Sequence, residues 1–160
     1  MEWFNAKLRQ ANAEIDDLFK KYRISEALMT VYKLFWDEFS SWYLEMVKPA
    51  YGQPINKTTY EATLKFFENL LKMLHPFMPF ITEELWQHIY ERKDGESIMR
   101  DKLEISAPTG EDMKLIEDIE SVKQIVAGVR TVRNQKNIAN KETLSLQCVG
   151  ENALKDYDSV

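Results

Sequence analysis

Two histidines, a single cysteine, a dense aromatic run and a graded stretch of charge are the residues of this chain equipped to do chemistry. In a helical bundle, a carboxylate-bridged metal pair requires Glu-x-x-His on two helices. Lys72 stands three residues before His75 and Leu85 three before His88, so that pattern is missing and metal binding is not expected. Cys148 is the only cysteine. It permits neither an internal disulfide nor a cysteine zinc site, and no histidine is spaced to activate it as a nucleophile. There is no Gly-rich phosphate loop. The chain is therefore expected to carry no catalytic site and no cofactor of its own. What remains is recognition chemistry. Phe35 to Tyr43 hold five aromatics in nine residues. Neighbouring helical positions face different ways, so some of these rings must pack a second neighbour or stay available for stacking. Arg130, Arg133, Asn134 and Asn137 share one polar helix face, a strip suited to phosphate oxygens.

These residues need a scaffold, and composition bounds it. The 160 residues, 44% hydrophobic and 29% charged, suit a globular unit with a proper core. Five Gly and five Pro leave room for long helices. A net charge of −5 is not that of a general nucleic-acid binder, so any RNA contact must be local. The N-terminus lacks a signal pattern and no apolar run is long enough for a membrane span. A cytoplasmic protein is expected.

The fold class expected is mainly α, an antiparallel helical bundle with a long fifth helix and a small C-terminal strand region. A first helix from about Glu2 to Tyr22 carries Phe4, Leu8, Ala11, Ile15, Leu18 and Tyr22 as one seam. A second, capped by Ser25, reaches about Val47, with an apolar face through Leu28, Val31, Phe35, Phe39, Trp42 or Tyr43, and Met46. A third begins at a Thr58-x-x-Glu61 capping box and runs through Leu64, Phe67, Leu71 and Leu74. Pro76 and Pro79 break it. Thr82 is expected to cap the fourth helix, to about Glu91, with Glu83 and Glu84 in its first turn and Ile81 stapled on Trp86. Ser97-Ile98-Met99, leading to Leu103-Glu104-Ile105 and Pro108, reads as extended and irregular. The fifth helix spans about Glu111 to Asn137, acidic first and basic last, as the helix dipole favours. Thr143 to Val149 alternates like a strand in need of a partner. Residues 1–137 thus form the helical domain and 138–160 a short extension.

The corner string, Leu74-His75-Pro76-Phe77-Met78-Pro79-Phe80-Ile81-Thr82-Glu83-Glu84-Leu85-Trp86, resembles one in the anticodon-binding helical domain of class I aminoacyl-tRNA synthetases for valine, isoleucine and leucine. The run from Phe35 to Pro49 is similar to the second bundle helix of the valyl enzymes, where Trp-Tyr-Leu-Glu leads into Lys-Pro. Ser40-Ser41 departs from the Cys-Asp common there, losing an acidic side chain. Ser97-Ile98-Met99, and Arg130 and Arg133 ahead of Asn137-Ile138, resemble the same family in the same order. The resemblance covers residues 2–149. The signature segments of the class I catalytic domain are missing, so the resemblance implies a C-terminal domain severed from its catalytic body.

It further implies that the bundle receives the anticodon stem-loop of a tRNA, while the parent ligates valine to that tRNA with ATP. The implied partners are valine tRNA and the catalytic domain of the same polypeptide. The implied tRNA-binding residues are Asn5, Lys7, Arg9, Trp42, Glu45 and Lys48, where the first helix starts beside the end of the second, with Arg130 and Arg133 holding phosphates. Trp42 would stack a base, Lys48 and Arg9 would hold phosphates, and Asn5 or Glu45 would read base edges. The alternatives are the same domain of an isoleucyl or leucyl enzyme and a helical protein-interaction module.

Overall fold

The computed structural model describes residues 1–139 and 141–145. Six α-helices are present among them: α1 (Glu2–Lys20), α2 (Ile24–Lys33), α3 (Leu44–Val47), α4 (Lys57–Leu74), α5 (Pro79–Ile89) and α6 (Gly110–Lys136). A π-helical segment, Leu34–Tyr43, joins α2 to α3 without a break, so the expected second helix is one rod of three pieces. A 3-10 turn, Ile98–Arg100, follows α5. No β-strand occurs among the described residues. Of the expected C-terminal strand, residues 143–145 are irregular and 146–149 lie outside the described residues. The chain divides into two compact units, 1–120 and 121–160, each described by itself.

The core of the first unit follows from the seams. Phe4, Leu8, Ala11, Ile15 and Leu18 of α1 are buried with Ala27, Val31, Leu34, Phe39 and Tyr43 of the second rod and Phe66, Leu70 and Met73 of α4. The ring of Phe4 lies 5.0 Å from Tyr43, whereas Thr30 reaches back to Glu14 at 3.3 Å, so α1 and the second rod are antiparallel. Tyr43 hydrogen-bonds Thr63 at 3.0 Å, whereas Phe35 contacts Phe67 one turn further along α4, which sets α4 antiparallel to the rod as well. Leu71, Trp86 and Ile98 form a smaller second core.

The π-helical turn accommodates the crowded aromatics. Its wider i→i+5 bonding keeps residues four apart on one side: Phe35 and Phe39 stand 6.1 Å apart and Phe39 and Tyr43 5.6 Å. Ser40 and Ser41 each donate to the carbonyl five residues back, at 2.9 Å. Three rings thereby face the core, Trp42 is half-buried against it, and Trp36 is 58% exposed. Leu28 and Met46, expected on the buried face, are exposed: within α2 the buried stripe runs through Ala27 and Val31 instead, and the widened turn shifts the register ahead of Met46.

Four expected helix starts and stops are corrected. Tyr22 does not extend the first seam. The helix stops at Lys20, and Tyr22 takes a left-handed φ of 58° at 89% exposure. Arg23 N–H donates to the Leu18 carbonyl at 2.9 Å and Tyr22 N–H to Phe19 at 3.0 Å, a Schellman stop made without glycine. Because this turn delivers the chain directly into α2, Ser25 is not its cap. Arg23 holds that position with no side-chain cap bond. Asn56, not Thr58, caps α4, accepting from Thr58 N–H at 2.9 Å, and Glu61 pairs with Lys57 instead. Pro79 opens α5 at its first turn, where a missing N–H costs nothing. Thr82 consequently lies inside the helix, fully buried, and Ile81 is exposed without stapling to Trp86.

Tyr22→Gly is expected to raise stability by about 0.5–1 kcal/mol, since glycine takes the left-handed conformation without the Cβ penalty. A thermal melt checks this; a lower Tm for the variant contradicts it.

Candidate nucleic-acid interface

The expected interface begins where α1 starts beside the end of the second rod, and the Phe4–Tyr43 contact brings those ends together. The implied side chains nevertheless diverge from there. Lys7 points between α1 and the π-helical segment and pairs with Glu38 at 3.2 Å, with Glu120 at 3.9 Å. Arg9 reaches the start of α6, donating to both carboxylate oxygens of Asp112 at 2.9 and 3.0 Å. Exposed Asn5 shares with Arg9 an acidic cleft of about 440 Å³, walled also by Glu2, Glu111 and Asp112. Glu45 and Lys48 sit at the end of α3, 64% and 65% exposed, and pair with each other at 3.4 Å. Such an exposed pair contributes ~0–1 kcal/mol and opens readily for a ligand.

Asp112 is the residue that spacing did not single out. Thr109 N–H and hydroxyl both donate to its carboxylate, at 2.8 and 2.9 Å, while Asp112 N–H donates back to the Thr109 hydroxyl at 3.2 Å. This is a capping box, visible in the sequence as Thr109-x-x-Asp112. The Thr109 backbone bond first, then its hydroxyl and Arg9, against the opposing effect of burial, hold the Asp112 carboxyl below the ordinary carboxylate range. Arg9 is thus an anchor for the first turn of α6.

In the second unit, Arg133 is drawn into the fold. Its guanidinium donates to the carbonyls of Ala139 and Glu142, both at 2.7 Å, clamping the chain that leaves α6. Asn137 takes a left-handed φ of 52° and ends the helix, with Ile138 N–H donating to Arg133 O at 2.9 Å. Arg130 is exposed on the same helix.

The corner between α4 and α5 is locked by polar groups. Thr82 donates its hydroxyl proton to the Met78 carbonyl at 2.8 Å. With that single proton committed, the hydroxyl accepts from His75 Nδ1–H at 2.7 Å. His75 thereby ties the end of α4 to the inside of α5. The Glu83 carboxylate gathers Gln87 and Ser97 at 2.7 Å and the Ile98 N–H at 3.2 Å. Burial pushes its carboxyl up, but these three hydrogen bonds together prevail and leave it below the ordinary range.

Among the described residues, no group of three or more His, Cys, Asp or Glu is placed to hold a metal ion. No described helix is long and apolar enough to cross a membrane.

Residues 1–148 match the family described as the anticodon-binding domain of tRNA ligase. The valine–tRNA ligase of Phocaeicola vulgatus is 64% identical over 159 residues, covering 99% of this chain and 18% of that protein. That of Parabacteroides distasonis is 62% identical over 151 residues, 94% of this chain and 17% of that protein. The more distant enzyme of Pseudothermotoga lettingae is 33% identical across 98% of this chain and 18% of its own length. The chain thus spans under one fifth of these relatives. It belongs to the family of anticodon-binding domains of tRNA ligases.

Proposed function

We propose that this chain recognises the anticodon stem-loop of valine tRNA as one domain of a cytoplasmic valine–tRNA ligase. The rest of that polypeptide would supply the catalytic domain and the ATP-dependent ligation of valine. The observation that carries this reading is near-complete coverage of the chain by valine–tRNA ligases at up to 64% identity. The relatives described above are all named for valine, which favours that amino acid over the isoleucyl and leucyl alternatives. The geometry supports a binding end formed by Asn5 of α1, Glu45 of α3 and Lys48 just past it. Trp42 is half-buried against the core beside them. In this reading Lys7 and Arg9 shape that end through their ion pairs, and Arg130 and Arg133 act from the second unit.

Lys48→Ala is expected to weaken binding of every tRNA alike and to reduce the salt slope of log K by about 1, as loss of one phosphate contact requires. An unchanged affinity and slope would remove Lys48 from the interface. One observation favours the protein-interaction reading. Ile24, Leu28, Tyr32 and Trp36, four apart, form an exposed apolar stripe on the second rod. Retained tRNA binding after Leu28→Ser and Tyr32→Ser, with loss of a protein partner, would assign that stripe separately from the RNA.

A further inference from the structure

Most cations of the first unit are already committed to carboxylates, as Lys7, Arg9, Lys20, Lys48, Lys57 and Lys72 show. Against that background, Lys65, Arg100 and Lys102 make no ion pair among the described residues, and all three line one cleft of about 490 Å³. One wall is α4, with Lys65, Glu68, Asn69 and Lys72. The other is the segment after the 3-10 turn, with Arg100, Asp101, Lys102 and Glu104. Two of its three carboxylates are satisfied within the fold. Glu68 accepts from Trp86 Nε1 at 2.9 Å and from Arg92 at 2.8 Å. Asp101 holds Lys72 at 2.9 Å, and that hydrogen bond, more than opposing burial, keeps its carboxyl below the ordinary range. Glu104 alone remains to offset three unpaired cations.

We propose that this cleft holds the phosphodiester backbone of the same RNA whose anticodon loop the end of the bundle receives. The inference rests on the anticodon-recognition reading and extends it along the flank of α4. Two features favour RNA over a protein partner. The lining is polar throughout and offers no apolar or aromatic anchor of the kind that dominates protein interfaces. Its spare groups, two ammoniums, a guanidinium and the Asn69 amide, are donors suited to phosphate oxygens. Position supports the same partner. Phe66, next to Lys65, packs against Phe4 at 5.1 Å and Tyr43 at 5.3 Å. The cleft therefore starts at the level where α1 begins and the π-helical segment ends.

The test compares two triple variants in the full-length polypeptide. Lys65→Ala/Arg100→Ala/Lys102→Ala removes the cleft's spare charge. Lys33→Ala/Lys93→Ala/Lys114→Ala removes the same charge from exposed, unpaired positions elsewhere. Each variant is first checked by thermal melt to have the parent's fold, then titrated with valine tRNA at several salt concentrations. The cleft variant is expected to bind about tenfold or more weakly at 0.1 M salt, with a salt slope smaller by about 2–3. The loss should be equal for a tRNA of altered anticodon, because phosphates carry no sequence. The control variant should stay within about threefold of the parent. Equal losses in both variants, or an unchanged slope in the cleft variant while the parent binds, would overturn the cleft and leave anticodon recognition standing. Absence of tRNA binding by the unaltered polypeptide would overturn both.

Discussion

Phe4→Ala is expected to destabilise the first unit by about 3–5 kcal/mol, the range for deleting a fully buried phenylalanine. Phe4 has no exposed surface, and its ring lies 5.0–6.1 Å from those of Trp3, Phe39, Tyr43 and Phe66. Those partners belong to three elements, so no single side-chain movement can refill the cavity. Domains of this size are typically stable by only ~5–15 kcal/mol, so the loss is a large fraction of the total. The contact also joins the start of α1 to the end of the second rod, and tRNA binding should fall with it. Phe4→Leu, which retains most of the volume, should cost less than half as much. Urea titration followed by circular dichroism measures both. A loss below ~1 kcal/mol for Phe4→Ala would show that the site collapses and that this ring is not the keystone of the core.

The second large effect belongs to Glu68. Its carboxylate is 15% exposed and accepts from Trp86 Nε1 and Arg92, with Lys72 at 3.9 Å. Arg92, 17% exposed, lies over the Trp86 ring with its guanidinium carbon 3.6 Å from the centroid, and its buried Nε has no partner. Glu68→Ala would leave this guanidinium and the indole N–H without their acceptor in a partly desolvated site. The expected cost is about 2–4 kcal/mol, most of it from the stranded charge rather than the pair's own attraction. Glu68→Gln keeps an acceptor for Trp86 and should recover part of the loss. If both substitutions melt at the parent's temperature, water satisfies Arg92 and the second core does not depend on the cluster.

The helices themselves were legible because burial imposes a period. Phe4, Leu8, Ala11, Ile15 and Leu18 repeat at helical spacing, and the two prolines after Leu74 announce the corner. Termini were less legible, because several candidate caps compete within three residues and geometry chooses among them. Asn56 prevailed over Thr58, and Pro79 at the start of α5 placed Thr82 inside the helix. The π-helical segment has no distinct period in ten residues, although crowded aromatics beside Ser40 and Ser41 were a sign of it. The candidate site was least legible. Spacing along one helix cannot reveal that Arg9 would meet Asp112, 103 residues away, or that Lys7 would meet Glu38. Nor can it show that Lys65 would face Arg100 and Lys102 across a cleft. Cations that looked equivalent in the sequence divide into anchors and spare charges only when their partners are known.

The most direct measurement is a salt-dependent titration of the full-length polypeptide with valine tRNA and with the same tRNA carrying a changed anticodon. Anticodon recognition by this bundle predicts tighter binding of the unaltered tRNA, by tenfold or more if one hydrogen-bonded base contact of about 1.4 kcal/mol or more is lost. It predicts a negative salt slope for both RNAs. Equal affinity for the two tRNAs would contradict it.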